Sequence, residues 1–254
     1  MIIRAEQMRV FEEAARRQFE EEMMVHLKDF AAPLCEVIGD NQLRSAIRSG
    51  IQRAERYEFT YRGPVRLFIE MMFLCGGGFD TDPQYPAVGE VLRASGDQMQ
   101  RALQIHQLCL DSLGKVSGPG GANVHKALRD LLTYARMPIV FSNDLAADML
   151  QAMHSIFPQK ADYVGEEGLQ ALIYEGINEA RSYGFDTQRQ RALIVVLKFA
   201  FGHGCTDDLL YPWIRRTLKD ERITGPAARA TRLERKAITW LEHVVARNER
   251  ASHK

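Results

Sequence analysis

Apolar residues recur along this chain at spacings of three and four, the signature of helices buried along one face. The first stripe is Met8, Phe11, Ala15, Phe19, Met23, Leu27 and Phe30, opposed by Glu12, Glu13, Arg16, Arg17, Glu20 and Glu21. Pro33 ends or redirects that helix. Leu43, Ile47, Ile51 and Ala54 predict a second helix over about 41–58, with Asp40 as its N-cap. A third is expected near 63–75, a short one opening at Tyr85-Pro86, and another over 98–113 with Met99, Ala102, Leu103, His106, Leu110 and Leu113 facing inward. Ser117-Gly-Pro-Gly-Gly121 breaks the pattern, and helices near 122–136 and 143–156 follow. The run from Ala192 to Phe201 is apolar nearly all round. It reads as helix because the matching run, Leu67 to Leu74, is rich in helix formers. Leu233, Ala237, Trp240, Leu241, Val244 and Val245 predict a final helix over about 227–248.

That match between two runs is part of a longer one. Residues 39–92 align without a gap to residues 165–218, an offset of 126, with about 15 of 54 positions identical. The shared residues include Leu43/Leu169, Ile47/Ile173, Gly50/Gly176, Tyr57/Tyr183, Phe59/Phe185, Gly76/Gly202, Asp82/Asp208, Tyr85/Tyr211 and Pro86/Pro212. Most are apolar, Gly or Pro, the residue types that carry a fold. Gly50 and Gly176 each interrupt an apolar stripe, where glycine costs about 1 kcal/mol against Ala, so both sites predict close approach of a neighbouring helix. The expectation is an all-α protein with two pseudo-symmetric helical repeats packed into one globule. Its parts are an N-terminal helix plus repeat one (1–92), connecting helices (93–158), repeat two (159–220) and a C-terminal helix (221–254).

Composition narrows the function classes. The chain has 33 basic and 33 acidic residues among 254 and a formal charge of zero, which argues against a global drive toward nucleic acid or anionic membrane. Only the tail is basic, and Glu234, Glu242 and Glu249 interleave its cations, so nucleic-acid binding is not expected. No apolar run approaches the length of a membrane span, and the N-terminus has no apolar signal-peptide core, so a cytoplasmic location is expected. Cys35, Cys75, Cys109 and Cys205 form no CxxC pair and read as buried thiols.

Candidate chemistry is sparse. Asp80 and Asp82 beside Gly76-Gly77-Gly78 lack the donor set of a calcium loop, and the turn lacks the Lys-Ser/Thr of a phosphate loop. Asp82 and Asp208 are expected to cap or brace the turns before Tyr-Pro. No histidine pair has metal-ligand spacing, and His203-Gly-Cys205 has no counterpart in the first copy. No catalytic residue, metal or cofactor is expected. The aromatics Phe79, Tyr85, Tyr211 and Trp213 near the equivalent turns are the candidate partner contacts.

Several stretches resemble a family of poorly characterised bacterial proteins encoded beside the spike, PAAR-tip and toxic effector genes of type VI secretion systems. They are Met1 to Met8, Phe11-Glu-Glu13, Met24-Val-His-Leu27, Gly50 to Ala54, and Phe79-Asp-Thr-Asp-Pro83 with Tyr85-Pro86. The resemblance covers about the first 92 residues. Relatives have Phe-Pro after the His-Leu pair and Trp after the later Pro. Here Phe30-Ala-Ala-Pro33 and Ala87 depart from that pattern, whereas Phe157-Pro158 and Pro212-Trp213 keep it. The residues themselves lead to the expectation of a non-enzymatic, protein-binding protein, and the resemblance implies that its partner is a type VI effector or spike component, bound as an immunity protein binds a cognate toxin or as an adaptor or chaperone loads cargo onto the spike. It carries over no catalytic residue. An enzyme with a cleft between the repeats is the reading of another class.

Overall fold

Glycine and proline decide where the helices of this chain stop. A computed structural model describes residues 5–252 and contains twelve α-helices, with no strand among the described residues. They are α1 (Ala5–Phe30), α2 (Ala32–Ile38), α3 (Asp40–Glu55), α4 (Arg62–Cys75), α5 (Pro86–Arg93), α6 (Gln98–Ser117), α7 (Ala122–Arg136), α8 (Leu145–Ile156), α9 (Pro158–Ser182), α10 (Gln188–Phe201), α11 (Pro212–Leu218) and α12 (Pro226–Ser252). Prolines sit in the first turns of α2, α5, α9 and α11, where a missing N–H leaves no bond unmade.

Positions 126 apart adopt matching backbones. Gly39 separates α2 from α3 at φ 75° and ψ 165°, and Gly165 kinks α9 at φ 75° and ψ 163°. That left-handed geometry disfavours any residue with a Cβ, so a helix that would otherwise run straight is bent at the same place twice. Gly76 and Gly202 end α4 and α10 at φ 97° and 94°. Tyr85 and Tyr211 precede α5 and α11 at φ −132° and −124°. Buried Met23, Leu27 and Cys35 in α1 and α2 fall 126 residues before buried Met149, Met153 and Ala161, so the correspondence reaches back into α1.

Three apolar clusters hold the helices together. Leu27, Leu43, Ile47, Phe59, Phe68 and Ile69 centre the first, Met149, Leu169, Ile173 and Val195 the second, and Phe185, Ile194, Ile214 and Leu233 the third. Each such side chain contributes roughly 1.5–3 kcal/mol on burial. Leu210, which follows α10, is buried in the first cluster, so the second stretch plugs directly into the core of the first. The close approach expected at the two mid-helix glycines is present. A Cβ on Gly50 would lie 2.7 Å from Ile69 Cγ1, and one on Gly176 would lie 2.8 Å from Val195 Cγ2 and 3.0 Å from its Cα.

Three local expectations need correction. Asp40 does not cap α3; Gly39 holds the cap position, and the Asp40 carboxylate pairs with Lys28 at 2.8 Å. The α1 stripe is only half used: Met23 and Leu27 are buried, but every residue from Glu6 to Gln18 is exposed, because α1 runs past the helices it packs on. In α6 the buried face is Arg101, Ala102, Ile105 and Cys109, while Met99, Leu103, Leu110 and Leu113 face out. Two apolar stripes compete on that helix. Arg101 selects between them by stacking its guanidinium 5.0 Å over Phe59 and donating to the Leu92 carbonyl at 2.9 Å. Glu20, Glu21 and Glu22 of α1 pair with Arg48, Arg44 and Arg62 of α3 and α4.

Candidate functional site

The turns that follow α4 and α10 meet back to back, and absent side chains allow it. A Cβ on Gly76 would sit 2.4 Å from the Phe201 carbonyl oxygen, and one on Gly202 would sit 3.0 Å from the Cys75 carbonyl oxygen. Two carboxylates then strap the turns together reciprocally. Asp82 accepts from the Gln84 N–H of its own turn at 2.9 Å and from the His203 N–H of the other at 2.7 Å. Asp208 accepts from the Leu210 N–H at 2.9 Å and from the Gly77 N–H at 2.6 Å. Both aspartates are buried, where a hydrogen bond to a charged group is worth roughly 1.5–3 kcal/mol. Burial pushes the Asp208 pKa up, against the pull of the Leu210 and Gly77 N–H groups and the Arg53 charge.

Around this shared frame the polar side chains differ. On the first side Arg53 of α3 donates to the Gly77 carbonyl and to Asp80, and the Tyr57 hydroxyl donates to Asp80 at 2.9 Å. On the second side Glu179 replaces Arg53, Thr206 replaces Asp80, Lys198 replaces Met72, Glu175 replaces Ser49 and His203 replaces Gly77. Lys198 is 1 % exposed, yet its ammonium reaches Glu175 at 2.9 Å and Glu179 at 2.6 Å, and it donates to the His203 carbonyl. Thr206 donates to Glu179. His203 holds Glu175 through Nδ1 at 3.1 Å, while its Nε2 lies 3.1 Å from the Gly78 carbonyl and 3.0 Å from Thr81 Oγ1.

No known protein family, curated protein or solved structure matches the chain.

What the cluster does follows from its protonation. Burial lowers the His203 pKa, but the Glu175 hydrogen bond and the charges of Asp82 and Glu175 outweigh it, and the net shift is upward. Burial likewise opposes the charge on Glu175, but His203 and Lys198 prevail and bring its pKa down to about 2. Lys198 is also shifted upward, the pull of Glu179 and Glu175 exceeding the effect of burial. Thr81, His203 and Glu175 lie in the order of a nucleophile, base and orienting acid. Nδ1 faces the Glu175 carboxylate, and Nε2 faces both the Gly78 carbonyl and the Thr81 hydroxyl. As imidazolium the ring donates at both nitrogens, and in that state it has no lone pair with which to take a proton from Thr81. The cluster acts as a charged clasp between the turns.

The predicted contact residues lie near this junction but do not form a surface. Phe79 is 1 % exposed and stacks on Phe68 with ring centroids 4.8 Å apart, so it is a core residue. Tyr85 is half-buried against the first core cluster, and burial raises its pKa well above the usual value. Tyr211 is half-buried and packs on Phe201 at 4.5 Å. Trp213 borders Phe201 at 6.0 Å and lines an open groove with Arg232, Arg235, Lys236, Trp240 and Arg247. Of the four, Trp213 lines this open groove and Tyr85 lines a pocket with Met71, Cys75, Lys160 and Tyr163. Aromatic residues next to a Gly-rich turn are recruited into the core because glycine leaves space there to fill.

The thiol next to His203 is not paired with it. Cys205 is fully buried, and desolvation pushes its pKa far up, which leaves it unreactive. Among the described residues no group of three His, Cys, Asp or Glu is placed to hold a metal ion, and no helix is long and apolar enough to cross a membrane. Sequence reasoning missed Lys198, Glu175 and Glu179. The signal was available: Lys198 is the charge inside the apolar run 192–201, and all three replace unlike residues at otherwise matched positions.

Proposed function

We propose that this chain is a non-enzymatic protein-binding scaffold built from two pseudo-symmetric helical repeats fused through their glycine turns. The paired dihedrals at positions 126 apart and the reciprocal aspartate straps support the repeat reading. The observation that carries the binding reading is the outward stripe of Met99, Leu103, Leu110 and Leu113 along α6, with Leu103 69 % exposed. Exposed apolar stripes of this kind mark surfaces that another element covers. At the glycine turns the junction between the repeats is filled by the carbonyls of the opposing turns and by mutually paired charges, and beside them a pocket lined by Cys75, Tyr85, Cys109, Lys160 and Tyr163 lies between the two stretches.

The resemblance to proteins encoded beside type VI secretion genes supports an effector or spike component as the partner, and immunity against a cognate toxin as the first role. Delivery of cargo to the spike, as an adaptor, is the second. A pull-down with the neighbouring effector and spike proteins tests this, followed by a toxicity-rescue assay. Binding with rescue is expected for immunity. Binding without rescue, together with loss of secretion on deletion, identifies an adaptor, and failure to bind either protein removes the reading.

A further inference from the structure

One groove of this molecule is covered and its counterpart is open. Helix α7 packs on α12 and roofs an apolar pocket whose lining joins its Leu131, Tyr134 and Ala135 to Met149 of α8, Val196 and Ala200 of α10, and Ile238 and Leu241 of α12. Arg136 at the end of α7 fastens it to Glu242 of α12 at 2.6 Å. The corresponding groove of the first stretch is formed by α1, α4 and α6. Leu74 stands where Ala200 stands, 126 residues earlier. Buried Ala102, Ile105 and Cys109 of α6 repeat the spacing of buried Ala230, Leu233 and Ala237 of α12. Leu110 and Leu113 therefore occupy the places of Ile238 and Leu241. All three leucines are exposed, as are Leu103 and Phe30 beside them. The floor of the open groove is also more polar. His26 Nε2 meets Glu70 at 2.7 Å and Arg66 donates to Glu70 at 2.8 Å, where Ala152, Val196 and Ala192 lie under α7.

The chain itself contains a helix of the right kind. The exposed half of α1 carries Met8, Phe11 and Ala15 on one face, with Phe11 63 % exposed. Along the helix this face continues into Phe19, Glu22, His26 and Phe30, the side of α1 that borders α4. From Ala5 to Gln18 it is about 20 Å long at 1.5 Å per residue, which matches the stripe from Met99 to Leu113. Glu12 flanks the apolar face as a polar partner for the floor, while Arg16 reaches Glu55 of its own α3 at 3.4 Å. Within one copy this half cannot fold back into the groove, because its own continuation forms the groove wall.

We infer that two copies of the chain associate through α1, the exposed half of each α1 lying in the α1/α4/α6 groove of the other, much as α7 lies in the second groove of its own chain. The two α1 helices run antiparallel about a twofold near Gln18, and the contact is isologous, each arm and groove used once per copy. Two such arms cover twice the surface of one, and a specific interface typically buries ~1,200–2,000 Å² in all. This inference assigns a second copy to the α6 stripe on which the binding reading above rests; because the oligomeric state is read with no effector or spike protein present, the two readings are tested separately.

Sedimentation equilibrium or light scattering on the full chain tests it. The expected result is a concentration-dependent dimer. Phe11→Glu and Leu103→Glu, both at exposed positions, should each yield monomer with unchanged circular dichroism. Mixing the two variants should restore association in part, because the Leu103→Glu copy retains an intact arm and the Phe11→Glu copy an intact groove. A wild-type chain that stays monomeric overturns the inference. So does a dimer that survives both substitutions, or a mixture that associates no better than its components. A variant that loses helicity is replaced by Leu110→Gln or Met8→Gln, which read the same two surfaces.

Discussion

The turn after α4 and the turn after α10 share a backbone and almost nothing else. Both end a helix at glycine, both lay an aspartate across to the other, and both lead into Tyr-Pro. The first is braced by Arg53, Asp80 and Tyr57, the second by Lys198, Glu175, Glu179, His203 and Thr206. The charge order is inverted, cation on the helix in one and anions on the helix in the other. Backbone geometry and apolar packing thus hold the fold, and the polar brace has many interchangeable solutions.

The largest effect expected from breaking this comparison is at the paired glycines. At Gly176 the obstacle to a Cβ includes the Val195 backbone, which cannot move aside, whereas at Gly50 it is the side chains of Ile69 and Met72. Gly176→Ala should lose about 3 kcal/mol and Gly50→Ala about 1 kcal/mol in urea unfolding, after the helix-propensity gain. Equal losses would mean that the two approaches are mechanically alike. Next come the straps. Asp82→Asn should lose about 2 kcal/mol, and Asp208→Asn less, because burial already disfavours its charge.

Lys198→Met, which copies Met72 into the second side, should lose about 1–2 kcal/mol by stranding Glu175 and Glu179, both of which retain some solvent. Adding Glu175→Ser, Glu179→Arg and Thr206→Asp rebuilds the first brace there and should recover most of that loss. Failure to recover would show that the two frames are less alike than their dihedrals.

The smallest effect is the pH response. The folded pKa of His203 is raised, so its contribution is complete below about 6.5, the unfolded value, and is lost as pH rises through the folded value. The urea midpoint should therefore fall with rising pH across that interval, and His203→Gln should remove the slope. Glu175, brought down to about 2, acts on the acid side: its contribution is present above the unfolded value near 4.5 and fades as pH falls toward 2. Glu175→Gln should flatten that limb.

The helices were legible in the sequence because a period of 3.6 needs only apolar spacing and glycine or proline stops. The glycine contacts were legible too, since a residue unfavourable in a helix recurs at matched positions. Facing was harder. α6 carries two apolar stripes, and the choice between them depends on Arg101 meeting Phe59 and Leu92, residues brought together only by folding. Phe79 looked exposed in a Gly-Asp-rich turn, but such a turn packs tightly enough to bury it. The charged clasp was invisible residue by residue. It emerges only when the two stretches are superposed and their mismatches, rather than their matches, are read.

The reciprocal straps have a further consequence. Were the two stretches separate, identical chains, Asp82 of each would hold residue 77 of the other across a twofold axis, and any substitution would appear on both sides at once. A histidine at that position would then arrive in duplicate, with two imidazoliums facing each other over adjoining turns. Joining the stretches in one chain removes that constraint, since each gene position is expressed once per junction. Glu175, Lys198 and His203 could accumulate on one side while glycine stayed on the other, and the covalent link keeps the halves together at any dilution.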